Sequence, residues 1–335
     1  MERIVLAFTG GLDTAMAIPW LKDRHAAEVV TVTLDLGQGR VLEEVRDRAL
    51  AAGAVRAHVL DVRDEFAAGF IVRALKADAV YEDRYPMATS LGRPLIAKKL
   101  VDIAGIEQAS TVAHGGTGND QVRLDGSVRA LNPALNVLAV APSGKTPGTV
   151  DENLWGRAIQ YAVLEDPWNE APEDVYRLTK APADCPNEAA YVELSFDRGV
   201  PVAINGVEMP VVELIGSLGI IAGAHGVGRI DVVENRGVGV KSRRLYEAPA
   251  ALVLHAAHNE LQRLVTSRDL RRFARIVSAQ YADVAHDGLW FAPLRDALDA
   301  FIDNVQARVT GIIRMKLFKG DCRVVGRKSP FAIIT

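Results

Sequence analysis

Val5–Leu21, VLAFTGGLDTAMAIPWL, runs an apolar, β-prone segment into a Gly-Gly pair flanked by hydroxyls and an acid, then straight into a helical pattern. Glycines lack the Cβ that would hold a ligand away from the backbone, and the first N–H groups of a helix have no carbonyl partner of their own. A strand delivering Thr9-Gly10-Gly11 to a helix whose first turn holds Asp13 and Thr14 therefore suits a phosphate or pyrophosphate, with two threonine hydroxyls as further donors. Taken alone, the stretch also fits a plain tight turn with Asp13 as helix cap. Its spacing is neither that of the GxxxxGK loop nor GxGxxG. A carboxylate repels bound phosphate, so Asp13 is expected to meet a Mg²⁺ ion or the helix amides.

Outward from this loop, short β-rich runs alternate with helical repeats up to about residue 142. The strand candidates are Ile4–Phe8, Val29–Leu34, Val55–Leu60, Ser110–Ala113 and Val137–Val140. Val41, Val45 and Ala49 recur at four-residue steps, with Gly53 as a helix stop. The pattern predicts an open, doubly wound α/β domain with a parallel sheet. Ligands in such sheets lie beyond the carboxyl ends of the strands, which singles out the opening loop and AHGGTGNDQVR, Ala113–Arg123.

The cluster APSGKTPGT, Ala141–Thr149, reads as a linker or domain boundary. Beyond it AYVELSFDRGVPVAING shows strand alternation and turns, Val211–Ala222 is helical, and Ala248–Gln306 holds several amphipathic helices. From Val309 alternation runs through KGD into CRVVG, a β-hairpin by pattern.

The chain has 335 residues, room for two packed domains with sizeable cores. With 49% hydrophobic and 24% charged residues it has the balance of a soluble globular protein. A net charge of −3 gives no basic footprint for nucleic acid or an anionic membrane, and no apolar window is long enough to span one. Cys185 and Cys322 are its two cysteines, which excludes a disulfide framework and fits a reducing cytoplasm. No leader segment is expected at the N-terminus.

FTGGLDT resembles the SGGLDT signature of the PP-loop ATP pyrophosphatases, which cleave ATP between the α and β phosphates to adenylate a carbonyl or ureido oxygen. YEDRYPMATSLGRPLIAKKL, AHGGTGNDQVR, DENLWGRAI, GVPVAING, HGVGRIDVVENRGVGVKSRRLYEAP and VTGIIRMKLFKGDCRVVGRKS, in that order, are similar to the argininosuccinate synthase family. The resemblance implies an adenine nucleotide hydrolase-like α/β domain over residues 1–142 and a second, α+β synthetase domain over 143–335 for substrate binding and oligomerisation. It implies ATP and Mg²⁺ as cofactors, a ureido amino acid and an amino acid amine as small-molecule partners, and a homo-oligomer. It puts Ala7, Phe8, Thr9, Gly10, Gly11, Leu12, Asp13, Thr14, Ala15, Leu34 and Gly115 at the ATP, and Thr117, Asn119 and Asp120 at the aspartate. Tyr85, Ser90, Asn119, Arg123, Thr149, Ala158, Glu234 and Tyr246 fall on citrulline contacts, and Asp13, Asp120 and Arg123 are the catalytic candidates. Arg123 suits a carboxylate, while Glu234 and Asp120 suit ammonium groups. No dedicated metal cluster is expected: His255 and His258, one turn apart, lack a third ligand.

The chain departs from the family pattern in four places. HGGTGNDQ is two residues shorter than HGxTGKGNDQ and lacks its Lys. Thr149 and Ala158 stand where the family has two serines, so one hydroxyl is missing. A few dozen residues between VLAVAPS and TVDENLW are absent, and the sequence given stops before the family's C-terminal arm, which makes a dimer or a looser tetramer an expected assembly. A relative that adenylates a different substrate, or a nucleotide-binding paralogue without turnover, stays open beside the family's own reaction.

Overall fold

The computed structural model describes residues 2–39, 42–140, 149–160, 162–235 and 239–334. The expected linker Ala141–Thr149 lies outside them apart from the Thr149 backbone, and so does Val41. The chain forms two compact units, interleaved in sequence: residues 1–66, 90–146 and 284–292, and residues 67–89, 147–283 and 293–335.

The first unit is built on a parallel five-stranded sheet in the order β3-β2-β1-β4-β5. Its strands are β1 (Arg3–Ala7), β2 (Glu28–Asp35), β3 (Arg56–Asp61), β4 (Thr111–His114) and β5 (Asn136–Ala139). Every predicted strand of this half is present, each within about two residues of its expected bounds. Runs such as VVTVTL in β2 are buried on both faces, as a central strand covered on both sides requires, whereas the edge strands β3 and β5 are only half-buried. Helices α1 (Leu12–His25) and α2 (Leu42–Ala51) lay Ala17, Ile18, Leu21, Val45 and Ala49 against Ile4, Leu6, Phe8 and Val29 in one core. A short α3 (Arg63–Phe66) ends the first segment of this unit, and the chain continues through a single π-helical turn into α4 (Val72–Lys76), both of the second unit; α5 (Ala88–Glu107) precedes β4, and α6 (Asn119–Leu131) joins β4 to β5. The strand order reverses between β1 and β4, so the two glycine loops leave the sheet at its switch point.

The second unit has two antiparallel sheets. One, in the order β11-β12-β7-β6, contains β6 (Thr149–Asn153), β7 (Gly156–Gln160), β11 (Arg229–Asn235) and β12 (Lys241–Glu247). The other, β10-β9-β8-β13-β14, contains β8 (Ala190–Asp197), β9 (Val200–Ile204), β10 (Val207–Glu208) and the hairpin β13 (Gly311–Phe318) and β14 (Asp321–Lys328). Val192 and Leu194 on β8 and Ile313, Met315 and Leu317 on β13 alternate inward at the two-residue period of a half-buried sheet. The helices are α7 (Val211–Ala224), α8 (Pro249–Val265), α9 (Arg268–His286) and α10 (Pro293–Gln306), matching the helical stretches expected there. His255 and His258 are core residues of α8, paired with Asp78 and Gln306, and no metal-ligating cluster occurs among the described residues. No helix among them is long and apolar enough to cross a membrane, and both cysteines are free thiols.

Candidate active site

At the end of β1, Phe8 N–H donates to Val32 O at 2.9 Å and Phe8 O accepts from Thr33 Oγ1 at 2.9 Å, fixing where the loop leaves the sheet. Gly10 turns the chain with φ +77°, and a Cβ there would stand 3.0 Å from Val45, so conformation and packing both call for glycine. Gly11 is the N-cap of α1 and makes no side-chain cap bond; the first helical hydrogen bond is Ala15 N–H to Gly11 O at 3.1 Å. The amides of Leu12, Asp13 and Thr14 are left without a helical acceptor, aimed out of the N-terminus. Thr14 Oγ1 donates to Gly11 O at 3.1 Å and lies 3.2 Å from Thr9 Oγ1, lining the same turn with hydroxyls. The Asp13 carboxylate makes no hydrogen bond among the described residues, so the tight-turn reading with Asp13 as cap does not describe this loop. Leu34 is buried near the end of β2, its side chain in the core and its carbonyl at the sheet's open end.

The second loop lies against the first: a Cβ on Gly115 would stand 3.7 Å from the Thr14 methyl. His114, buried at the end of β4, accepts at Nδ1 from Gly116 N–H (3.2 Å) and lies 2.8 Å from Asp125 through Nε2. The amide fixes the tautomer, so Nε2–H donates to Asp125; His114 is a positioning residue for this loop. The shortened segment is a single tight turn: Gly118 has φ +56° and ψ −127°, closed to side-chain-bearing residues, and Asp120 N–H donates to Thr117 O at 3.2 Å. Thr117 is exposed, while Asn119 and Asp120 open α6.

Asp120 is clamped by two guanidiniums. Arg93 on α5 donates to Oδ2 and Arg123 to Oδ1, each at 2.8 Å. Burial works to raise the carboxyl's pKa, but the two cations outweigh it and hold it down at about 2. Arg123 is 6% exposed and donates Nε–H to His286 O at 2.5 Å. Gly288, with φ +80°, packs so closely that a Cβ would stand 2.6 Å from Arg123 Cα. Arg123 is thus a fixed, buried cation and not a solvated helix residue. Ser90, one turn into α5, is 1% exposed with an Oγ that finds no partner among the described residues. A buried hydroxyl left unpaired costs about 1–3 kcal/mol, which a ligand acceptor or donor would relieve.

The remaining expected residues lie in the second unit. Tyr246 on β12 stacks on Tyr85 with centroids 4.0 Å apart at 14°, and its hydroxyl donates to Glu234 Oε2 at 2.6 Å. Burial first, then the neighbouring Tyr85 and the Glu234 carboxylate, raise the Tyr246 pKa well above that of free tyrosine. Arg244 Nε is 3.7 Å from Glu234 Oε1. Ala158 on β7 is the direct cross-strand partner of Tyr246, which in turn pairs with Ile230 on β11, four residues before Glu234. Because strand side chains alternate, Ala158, Tyr246 and Glu234 share one face. Thr149 pairs with Gln160 at the far edge; its side chain lies outside the described residues. The β6–β7 turn is pinned to the segment carrying Tyr85: Trp155 Nε1–H donates to Pro86 O at 2.9 Å and Asn153 Nδ2–H to Ala88 O at 2.7 Å. Gly226 and Gly228, both at positive φ, make the turn from α7 into the strand that carries Glu234.

Four contributors were missed by the sequence reading. Arg93 clamps Asp120, and Arg48 Nη1–H holds Gly10 O at 3.1 Å. Glu247, fully buried beside Tyr246, pairs with Arg157 and accepts from the amides of Arg177, Leu178 and Thr179 and the Thr179 hydroxyl. Gln38 folds back on the end of β2. No local pattern announces any of them except the last, whose glycine-flanked place after a strand was a usable signal.

Two family models cover nearly the whole chain: the arginosuccinate synthase N-terminal HUP domain over residues 3–162 and the arginosuccinate synthase C-terminal domain over residues 149–335. The argininosuccinate synthase of Pelodictyon phaeoclathratiforme is 46% identical over 357 aligned positions, covering 99% of this chain and 89% of that protein. Those of Dictyoglomus turgidum and Gloeobacter violaceus are 47% and 48% identical, covering 99% of this chain and 89% and 90% of theirs. With the glycine loops at the switch point and these matches end to end, the chain belongs to the argininosuccinate synthase family of carbon–nitrogen ligases.

Proposed function

We propose that this protein joins citrulline to aspartate at the expense of ATP, releasing AMP and pyrophosphate. The observation that carries the reading is the pair of glycine loops meeting at the switch point, one presenting free helix amides and two hydroxyls to a polyphosphate. The ureido oxygen of citrulline attacks the α phosphorus of ATP and pyrophosphate leaves. The aspartate amine then attacks the activated ureido carbon, AMP leaves with its oxygen, and the amine proton is lost to solvent.

The ureido carbon is a poor electrophile until its oxygen becomes a phosphate leaving group, so what the protein supplies is placement and charge. The α1 N-terminus stabilises the charge that grows on departing pyrophosphate, with Ala7–Ala15, Leu34 and Gly115 cradling the nucleotide. Mg²⁺ accompanying ATP would neutralise phosphate charge, and the unpaired Asp13 carboxylate suits that cation, as an ion that keeps most of its waters asks for one or two acids only. Thr117, Asn119 and Asp120 hold the aspartate. Ser90, Asn119, Arg123, Tyr85, Thr149, Ala158, Glu234 and Tyr246 hold citrulline, Glu234 offering the counter-charge for its ammonium. Because Asp120 and Arg123 already neutralise each other in part, they act as a prearranged pair and not as two open charges. The HUP and C-terminal family spans support a nucleotide-binding part near residues 1–142 and a synthetase part near 143–335. We place the protein in the cytoplasm as a homo-oligomer.

Incubation with ATP, Mg²⁺, citrulline and aspartate should release pyrophosphate and yield argininosuccinate by mass spectrometry, with release dependent on citrulline. If another ureido or amide compound supported release and citrulline did not, the assignment of substrate would be wrong.

A further inference from the structure

β2 outruns β1. Ala7 pairs with Val32 and Phe8 N–H closes the rung to Val32 O, but at Thr9 and Gly10 the chain turns away into the loop. The next rung on that side, Leu34 C=O and Leu36 N–H, is therefore left without a strand opposite, directly beside the glycine loop. Backbone groups at such a place need partners. Here a side chain supplies both: Gln38 Nε2–H donates to Leu34 O at 2.6 Å and Leu36 N–H donates to Gln38 Oε1 at 2.7 Å. The return is made possible by Gly37 at φ +91° and Gly39 at φ +66°, and Asp35 Oδ1 accepts from Gly37 N–H at 2.8 Å.

The carboxamide is a donor and an acceptor joined through one carbon. The 6-amino group and N1 of adenine have the same arrangement in the same order. An acceptor carbonyl and a donor amide two residues apart would read that edge and reject a base with a carbonyl at C6 and a proton on N1.

We propose that Gln38 is a displaceable stand-in for the adenine base: its amide holds the open rung of β2 until the nucleotide's 6-amino/N1 edge takes its place. This rests on the reading of the first unit as an ATP site and adds to it the element that reads the base and competes with it. Displacement lowers the apparent affinity by the fraction of time the rung is free. The Asp35–Gly37 bond keeps the turn formed when the amide swings out.

The test is calorimetric titration of the full chain, wild type and the variants Gln38→Ala and Gln38→Met, with ATP and with ITP. Removing the competitor should tighten ATP by about three- to tenfold, the worth of one net hydrogen bond, and leave ITP unchanged. In wild-type protein labelled at glutamine nitrogen, the Gln38 side-chain amide resonance should move when ATP is added. ATP binding that is unchanged or weaker in both variants, an equal gain for ITP, or an unmoved resonance overturns the proposal while leaving the nucleotide site standing. A wild-type chain that bound no ATP would remove both.

Discussion

Arg123 reaches back one turn of α6 to donate Nη1–H to Asp120 Oδ1 at 2.8 Å, with Arg93 on the acid's other oxygen. The depressed carboxyl has a thermodynamic consequence. Its folded-state pKa of about 2 lies below the unfolded value near 3.9, so the pair's contribution is present above that value and is lost as pH falls through about 2. The Asp120→Asn variant should therefore lose on the order of 2 kcal/mol at neutral pH and show a flatter decline of stability between about pH 4 and pH 2. Urea midpoints across that range test it; parallel profiles for the two proteins would refute the coupling.

Asp13 presents the opposite case, a carboxylate that the fold does not use. Truncation to Ala should leave stability within about 1 kcal/mol, the size of a charge interaction at a helix N-terminus. Pyrophosphate release should fall at least about a hundredfold, as for other charged groups that act only on the reacting phosphates. A rate equal to wild type would remove Asp13 from the mechanism.

Glu247 is legible as a structural hub only from the three-dimensional arrangement. Fully buried itself, it receives three backbone amides, a hydroxyl and the buried Arg157 guanidinium. Replacing it with Ala removes one of the two carboxylates on the buried Arg157, leaving Glu152 3.2 Å from its Nε, and takes the acceptor from three backbone amides, which together costs about 3–5 kcal/mol. Thermal and urea unfolding of Glu247→Ala should show that loss, and a drop below about 1 kcal/mol would mean that Glu152 alone suffices for Arg157 and that the freed amides reach water.

The contrast between these residues explains what the sequence could and could not disclose. The opening loop was readable because strand, glycines and helix start are contiguous, and local sterics dictate each. The terminal hairpin was readable for the same reason, its alternation being broken by one turn. By contrast, Asp120 is clamped by a residue 27 positions earlier, and Arg123 by a carbonyl 163 positions later. Glu247 is paired 90 positions away with Arg157. Such partners depend on how helices and sheets pack, which periodicity does not encode. The family resemblance named Asp120 and Arg123 as two open charges, and their mutual neutralisation emerged only from the geometry.

Tyr246 and Glu234 offer a separable test of the aromatic face. Tyr246→Phe keeps the stack on Tyr85 and removes the proton donated to Glu234 at 2.6 Å. Loss of this hydrogen bond to a charged acceptor costs about 1.5–3 kcal/mol of folding stability, and Glu234, the proposed counter-charge for the citrulline ammonium, loses the group that positions it, so kcat/KM for citrulline should drop by roughly tenfold. The same variant should leave the KM for ATP near wild type. A change in ATP alone would move Tyr246 out of the citrulline contacts.

Ala158 stands directly across from Tyr246 and is only half-buried, with one hydroxyl fewer than the family pattern has at that position. An added Oγ on this face would sit in the row shared by Tyr246, so Ala158→Ser introduces a donor and acceptor without enlarging the strand's footprint beyond one atom. For citrulline, one further net hydrogen bond of about 0.5–1.5 kcal/mol should lower KM by roughly two- to tenfold with kcat little changed, the signature of ground-state and transition-state binding gained equally. For a first substrate lacking the matching polar group, the serine would present an unpaired hydroxyl at the site and raise KM by a similar factor. Steady-state kinetics of the single substitution therefore read substrate identity from the protein side: a falling KM supports citrulline, and a rising one points to a less polar ureido or amide acceptor.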